Sequence, residues 1–244
     1  MSSIFDPLGF VAPFLLEGKK ILQELCKEDT AWDDPVPAAI KAKWQKWRSD
    51  LYLLQEFSVA RCYKPKNFGD VTKTELHHLP DASNKGYGQC SYLQLINDQG
   101  QIHCSFVIGK SRVAPLKLVT IPTLELTAAV TSVRVSDQLR KELPLENAEE
   151  TFWTDNKVIL GYIANESRRF HVFAVNRVQE MQEKSSPKQW RYVETNRTQQ
   201  TMHHVVSMLE ISRIPSGYLD LSSYGKRKPI GDRKSTRLNS SHRL

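Results

Sequence analysis

The 244-residue sequence predicts an α/β fold, a mixed five-stranded sheet with flanking helices, preceded by a small helical segment. Three observations predict it. Strand-like segments separated by turn signals fill residues 75–113, a helical repeat follows from Ile121, and the short apolar run TFWT opens a second strand–helix alternation. The resulting order is β-β-β-α-β-α-α-β.

Before the sheet, Ile21, Leu22 and Leu25, then Ile40, Trp44, Trp47, Leu51 and Leu54, recur at three- and four-residue steps around the turn WDDPVPAA. Asp6 to Phe57 is therefore helical, with Trp44 and Trp47 in its core. FSVARCYKPKNFGD, Phe57 to Asp70, has few periodic apolar positions and reads as a linker, so a domain boundary falls near residue 70. The first strand runs into Asp81, the second spans Tyr87 to Ile96, and NDQG turns the chain into a third from Gln101 to Ile108. Leu124, Ala128, Val135 and Leu139 mark a helix with Glu125 in its first turn. Phe152-Trp153 is a fourth strand ending at Asp155. Val158, Ile159, Tyr162 and Ile163 give the next helix, FHVFAVNRVQEMQEK another, and QWRYVET the last strand.

Composition removes several function classes. The four cysteines form no C-x-x-C pair and no zinc spacing with the histidines, which points to a reducing, intracellular setting. Phe10 to Leu16 is broken by Pro13 and far short of the roughly 18 residues of a membrane span, and nothing basic precedes it as in a secretory signal. No membrane partner is expected. Of the net charge of +7, residues from Arg197 onward carry nine Lys and Arg against three Asp and Glu, leaving +1 for residues 1–196. The basic character belongs to the tail and does not by itself indicate a nucleic-acid partner.

Asp155, where a strand gives way to a helix, fits two roles. Asp is a preferred helix cap, and strand carboxyl ends are where α/β sheets build sites. With Asp81 and Glu125, three acids from separate regions are expected to converge at one sheet edge. Converging carboxylates raise one another's pKa unless a cation neutralises them, and Mg²⁺ suits such oxygen donors. Pro80 strains this picture, because proline cannot donate to a sheet ladder. His77 and His78 point to opposite faces of a strand, and a zinc site there or at His203 and His204 is not expected. Lys110 and Arg112 follow a strand and read equally as phosphate contacts or as a solvated basic loop. Arg168 and Arg169, at a helix start, read as surface charges.

FDPLGFVAPFLLEGKKILQELC, AWDDPVP, WQKWRSDL, RCYKP, ELHHLPDASNKGYG, CSFVIGKSRVAPLK, TIPTLELTAAV, FWTDNKVILGYI, ESRRFHVFAVNRV and QWRYV together resemble the Pol polyprotein of BEL/Pao-type retrotransposons, across about residues 4–196. The resemblance implies three regions. Residues 1–70 would be a helical remnant of the reverse transcriptase with its linker, 71–196 an RNase H-like domain, and 197–244 a tail outside the native frame. It further implies hydrolysis of RNA in RNA–DNA hybrids by two-metal catalysis with Mg²⁺ (or Mn²⁺) held by Asp81, Glu125 and Asp155. The implied partners are the hybrid and the remaining Pol parts, reverse transcriptase and integrase, in the cytoplasm (virus-like particle) or nucleus. Neither Y-x-D-D nor D-[ST]-G occurs, so polymerase and peptidase activities are not expected.

The family pattern continues after the last strand as N-P-A-D-D-A-S-R-G, which carries a fourth acid, whereas this chain reads NRTQQTMHHVV. Starting each codon for Arg197 to Val206 at its third base permits that nonapeptide, which indicates a frameshift near Asn196. DRKSTRLNSSH, Asp232 to His242, reads as a translated sequencing adapter. Loss of the fourth acid is expected to leave the chain weak or inactive. The alternative is a catalytically inactive nucleic-acid-binding module or a non-functional relic.

Overall fold

A computed structural model describes residues 5–28, 31, 33–145, 147–164 and 172–194. Arg168, Arg169, His203, His204 and the whole of residues 197–244, expected to be out of frame, lie outside them. Two helices, α1 (Ala12–Lys27) and α2 (Ala38–Asp50), and a 3-10 turn (Leu51–Glu56) precede the sheet. The sheet contains β1 (Val71–Ala82), β2 (Gly86–Asn97), β3 (Ile102–Val113), β4 (Glu149–Thr154) and β5 (Trp190–Tyr192), in the order β3-β2-β1-β4-β5. β1 is antiparallel to β2, β2 to β3, and β4 lies parallel to both β1 and β5. The three helices α3 (Ile121–Glu142), α4 (Lys157–Ala164) and α5 (Val172–Lys184) complete the expected order.

β3 extends five residues beyond the expected end at Ile108, so Lys110 and Arg112 lie within the strand and do not follow it. Pro80 sits in the central strand opposite Gln89. The sheet tolerates it because the β1–β4 ladder stops at His78↔Phe152, leaving β1 bonded on one side there.

α3 packs on one face of the sheet through two apolar clusters. One joins Leu126, Val130 and Val133 to Phe152, Ile159, Ile163, Met181 and Trp190, and the other joins Val135 and Leu139 to Leu76, Leu93 and Val107. The helical segment has its own core, in which Phe14 and Trp47 stack at 5.4 Å and Trp47 Nε1 donates to Phe14 O at 2.9 Å. Leu22, expected on the buried side, is exposed.

Residues 5–70 also hold the sheet's edge. Asp6 accepts from the amides of Gly9, Phe10 and Val11, each at 3.0 Å, which folds the chain before α1 into a tight strap. Gly109 N on β3 donates to Leu8 O at 2.7 Å. Gly9 has φ +79°, and a Cβ there would stand 2.1 Å from Gly109 O, so only glycine permits the approach. The expected linker is packed too. Phe68 is buried with β2 and β3, Asn97 Nδ2 donates to Phe68 O at 2.6 Å, and Ser105 Oγ donates to Tyr63 O at 3.0 Å.

Candidate nuclease site at the strand ends

Parallel strands share a register, and here it decides where the acids stand. His78 pairs with Phe152, an offset of 74, and the same offset from Asp81 gives Asp155. Both positions follow the last paired residues by three, Asp81 within β1 and Asp155 just past the end of β4. Asp81 pairs with Gly88 on β2, which pairs with Ser111 on β3.

Glu125 reaches this end from α3. Thr120 precedes the helix, which places Glu125 in its second turn and not, as expected, its first. Its side chain is 4% exposed, and Glu125 Oε2 accepts a short hydrogen bond from Asn156 Nδ2. Asn156 also accepts at Oδ1 from Val158 N, at 2.8 Å. The capping role open to Asp155 thus falls to Asn156, which fastens α4 and Glu125 to the residue beside Asp155.

The three side chains do not form a ligand cage. No group of three or more His, Cys, Asp and Glu that could hold a metal ion occurs among the described residues. Strand alternation explains it: Asp81 shares the face of Leu79 and Cys90, whereas Glu125 belongs to the helix packed on the other face. Asp81 Oδ1 accepts from the adjacent Ala82 amide at 2.8 Å. The Cys90 thiol is pushed up to about 12, chiefly by burial and further by the charge of Asp81. By chemistry the three carboxylates suit a hard divalent cation. By geometry the backbone brings the three positions to one end of the sheet without joining their carboxylates.

Lys110 and Arg112 are exposed on β3, and Lys110 Nζ donates to Pro7 O at 3.1 Å. His77 and His78 do face opposite ways. His77 Nδ1 accepts from Trp153 Nε1 at 3.2 Å, and burial lowers its pKa. His78 lies beneath α3, where sequence reasoning found nothing. Its Nδ1 is 2.8 Å from Ser91 Oγ and its Nε2 is 2.9 Å from Glu150 Oε1. Ser136 donates to the same oxygen, and Gln189 to Glu150 Oε2 at 3.1 Å. The order Ser91–His78–Glu150 is that of a nucleophilic triad, yet Ser91 and His78 are both 0% exposed, so no substrate reaches the hydroxyl. It is a structural seam. Burial lowers the His78 pKa and favours the neutral ring, whose Nε2–H is directed at the acceptor Glu150. Burial raises Glu150, but the bonds from His78 and Ser136 outweigh it and hold it low. Nothing in the sequence marks this network, because it depends on which strand positions face one another.

Residues 1–156 match the family described as Pao retrotransposon-like RNaseH-like domain. No curated protein matches the chain. Among solved structures, RNase H1 of the halophilic archaeon Halobacterium salinarum NRC-1 is similar at 8% identity, covering 52% of this chain and 89% of that one, with a TM-score of 0.34. The N-terminal RNase H domain of rv2228c from Mycobacterium tuberculosis is similar at 12% identity, with coverages of 52% and 91% and a TM-score of 0.34. A foamy viral protease-reverse transcriptase in complex with dsDNA is similar at 12% identity over 76% of this chain and 37% of that one, with a TM-score of 0.27. No helix among the described residues is long and apolar enough to cross a membrane.

Proposed function

The chain belongs to the Pao retrotransposon-like RNaseH-like domain family, and from that premise we propose that it is the nuclease part of a retrotransposon Pol polyprotein, hydrolysing the RNA strand of RNA–DNA hybrids. Residues 1–70 are then the end of the reverse transcriptase and 71–196 the nuclease unit, acting in the cytoplasm or nucleus beside the other Pol parts. The observation that carries the reading is that Asp81 and Asp155 stand at the carboxyl ends of the adjacent parallel strands β1 and β4, with Glu125 bonded to Asn156, the residue after Asp155.

Asp81, Glu125 and Asp155 would hold Mg²⁺ or Mn²⁺. When bound, the ions supply a nucleophilic water and neutralise charge on the phosphate. The chain's own residues set what is possible beforehand. Asn156 bonds to Glu125 through its side-chain amide, and Asp81 and Asp155 stand at the carboxyl ends of the adjacent parallel strands β1 and β4. The hybrid is sensed by backbone shape and 2′-hydroxyls, not by sequence.

The frameshift gives the test. The full chain is compared with one that continues after Thr195 as Asn-Pro-Ala-Asp-Asp-Ala-Ser-Arg-Gly, using a labelled hybrid and Mg²⁺. The restored chain should cleave RNA, the original little or none, and Asp155→Asn in the restored chain should abolish cleavage. Equal activity in the original and restored chains removes the fourth acid from the account. A second reading is a nucleic-acid-binding module without catalysis. It requires that the restored chain bind hybrid without cutting it.

A further inference from the structure

Ser58 to Cys62 joins two cores and belongs to neither. On its amino side Phe57 packs into the core of the helical segment, and its amide donates to Leu54 O at 3.2 Å. On its carboxyl side Tyr63 packs against the cluster shared by α3 and the sheet, and its carbonyl accepts from Ser105 Oγ at 3.0 Å. The five residues between these anchors are exposed and irregular, and none of them makes a hydrogen bond or ion pair among the described residues. Such backbone can enter a peptidase cleft with nothing to unfold first. Arg48, Arg112, Arg134, Arg140, Arg177 and Arg191 all lie within helices or strands, so among the described residues Arg61 is the one arginine outside them.

A break there leaves the hold of the helical segment on β3 untouched. Lys110 Nζ donates to Pro7 O at 3.1 Å, Gly109 N to Leu8 O at 2.7 Å and Ser111 Oγ to Ala12 O at 3.4 Å. Gln23 Nε2 on α1 donates to Ala114 O, just past the end of β3. The Phe10 ring stands 4.9 Å from that of Phe106 and packs against the buried cluster of Leu79, Cys90 and Tyr92. These contacts follow the strand from Phe106 to Ala114, and residues 58–62 take part in none of them. The peptide link and the docking are separate connections.

We propose that Ser58–Cys62 is a processing site, at which an endopeptidase divides the chain after Arg61 while the β3 edge keeps the two products together. Water adds across the Arg61–Cys62 amide and its C–N bond breaks. Arg61 gains the carboxylate, Cys62 gains the amino group, and no oxidant or reductant is consumed. Residues 1–61 are then held by β3 alone. The division concerns the joint and not the acids, so it holds whether or not the chain cleaves RNA.

Limited digestion of the full 244-residue chain with an arginine-specific endopeptidase, followed by gel filtration and intact-mass measurement, tests both parts. The first amino-terminal product should end at Arg61, and it should co-elute with the sheet domain. In Arg61→Gln the same digestion should leave the helical segment and the sheet on one continuous piece. Phe10→Ala, which removes the ring against Phe106, should elute as the unaltered chain does while intact, because the linker tethers its parts, and should release residues 1–61 once cut. Asp6→Ala, which unties the strap, should do the same. An earlier cut at an arginine within a helix or strand overturns the processing site. Residues 1–61 that separate from the cut unaltered chain overturn the docking, and their retention by both cut variants overturns the part given to the strap.

Discussion

Two buried glutamates, one at each end of the α3–sheet contact, are held in different ways. Glu150, at the start of β4, has His78, Ser136 and Gln189 hydrogen-bonded to its two oxygens and Arg140 3.8 Å away. Glu125, near the start of α3, is tied to the neutral amide of Asn156 in a turn at the sheet's rim. The first carboxylate is surrounded by side chains of β1, α3 and the turn before β5, a histidine among them, and the second is bonded to a loop side chain at the rim. Both are buried carboxylates on one domain. Their partners, and not their burial, distinguish them, and under the proposed function only Glu125 has a chemical role.

Substitutions should divide along that line. The largest expected effect is at the locked site: Glu150→Ala leaves His78, Ser136 and Gln189 without their acceptor, and denaturant unfolding should show a loss of about 3–5 kcal/mol. A smaller loss should accompany acidification. The folded-state pKa of His78 lies below its ordinary 6.5, so protons bind the unfolded chain more readily and stability falls as pH drops below about 6.5. One such group contributes a slope of at most about 1.4 kcal/mol per pH unit. Glu150, held below 4.5, adds its own loss only as pH falls beneath that value. Unfolding midpoints at pH 7.5, 6.5 and 5.5 check the sign, and His78→Gln should flatten the upper part of the profile. A slope that survives His78→Gln would assign it to other groups.

At the rim, Asn156→Ala removes the α4 cap and should cost about 1 kcal/mol. In the chain with the restored frame it should also lower cleavage by about 10- to 100-fold, as loss of a residue that orients a ligand does. The smallest change in stability is expected for Glu125→Gln, which keeps an oxygen to accept from Asn156 and should cost less than about 1 kcal/mol, while cleavage by the restored chain disappears. A Glu125→Gln chain as destabilised as Glu150→Ala would erase the distinction between the two acids.

The elements of the sheet domain were legible because each rests on local periodicity. Ile159 and Ile163 are buried on one face of α4, and Leu124, Ala128, Val135 and Leu139 are buried along α3, as their spacing requires. The end of β3 was not legible. Ile108 is its last strongly apolar residue before Gly109, and what prolongs the strand to Val113 is pairing with β2 and the strap against Gly109, neither of which is local. The site divides in the same manner. Asp81, Glu125 and Asp155 could be named from the strand and helix ends at which they stand. That β1 and β4 lie side by side in parallel depends on strand pairing, and that Asn156 and not Asp155 caps α4 depends on one side-chain bond. The seam around His78 combines residues from β1, β2, α3 and β4, and no spacing within any one of them announces it.

The strap across β3 has a consequence for how the chain acquires its structure. Pro7 and Lys110 are 103 residues apart, so the contact closes only after most of the sheet has been assembled, and contacts of such separation slow folding. Until then β3 offers unpaired backbone at the outside of the sheet, which invites pairing with the same strand of another molecule. Gly9→Ala, which cannot make the approach to Gly109, should prolong that interval, so refolding yield should fall as protein concentration rises, and light scattering during dilution from denaturant would register it.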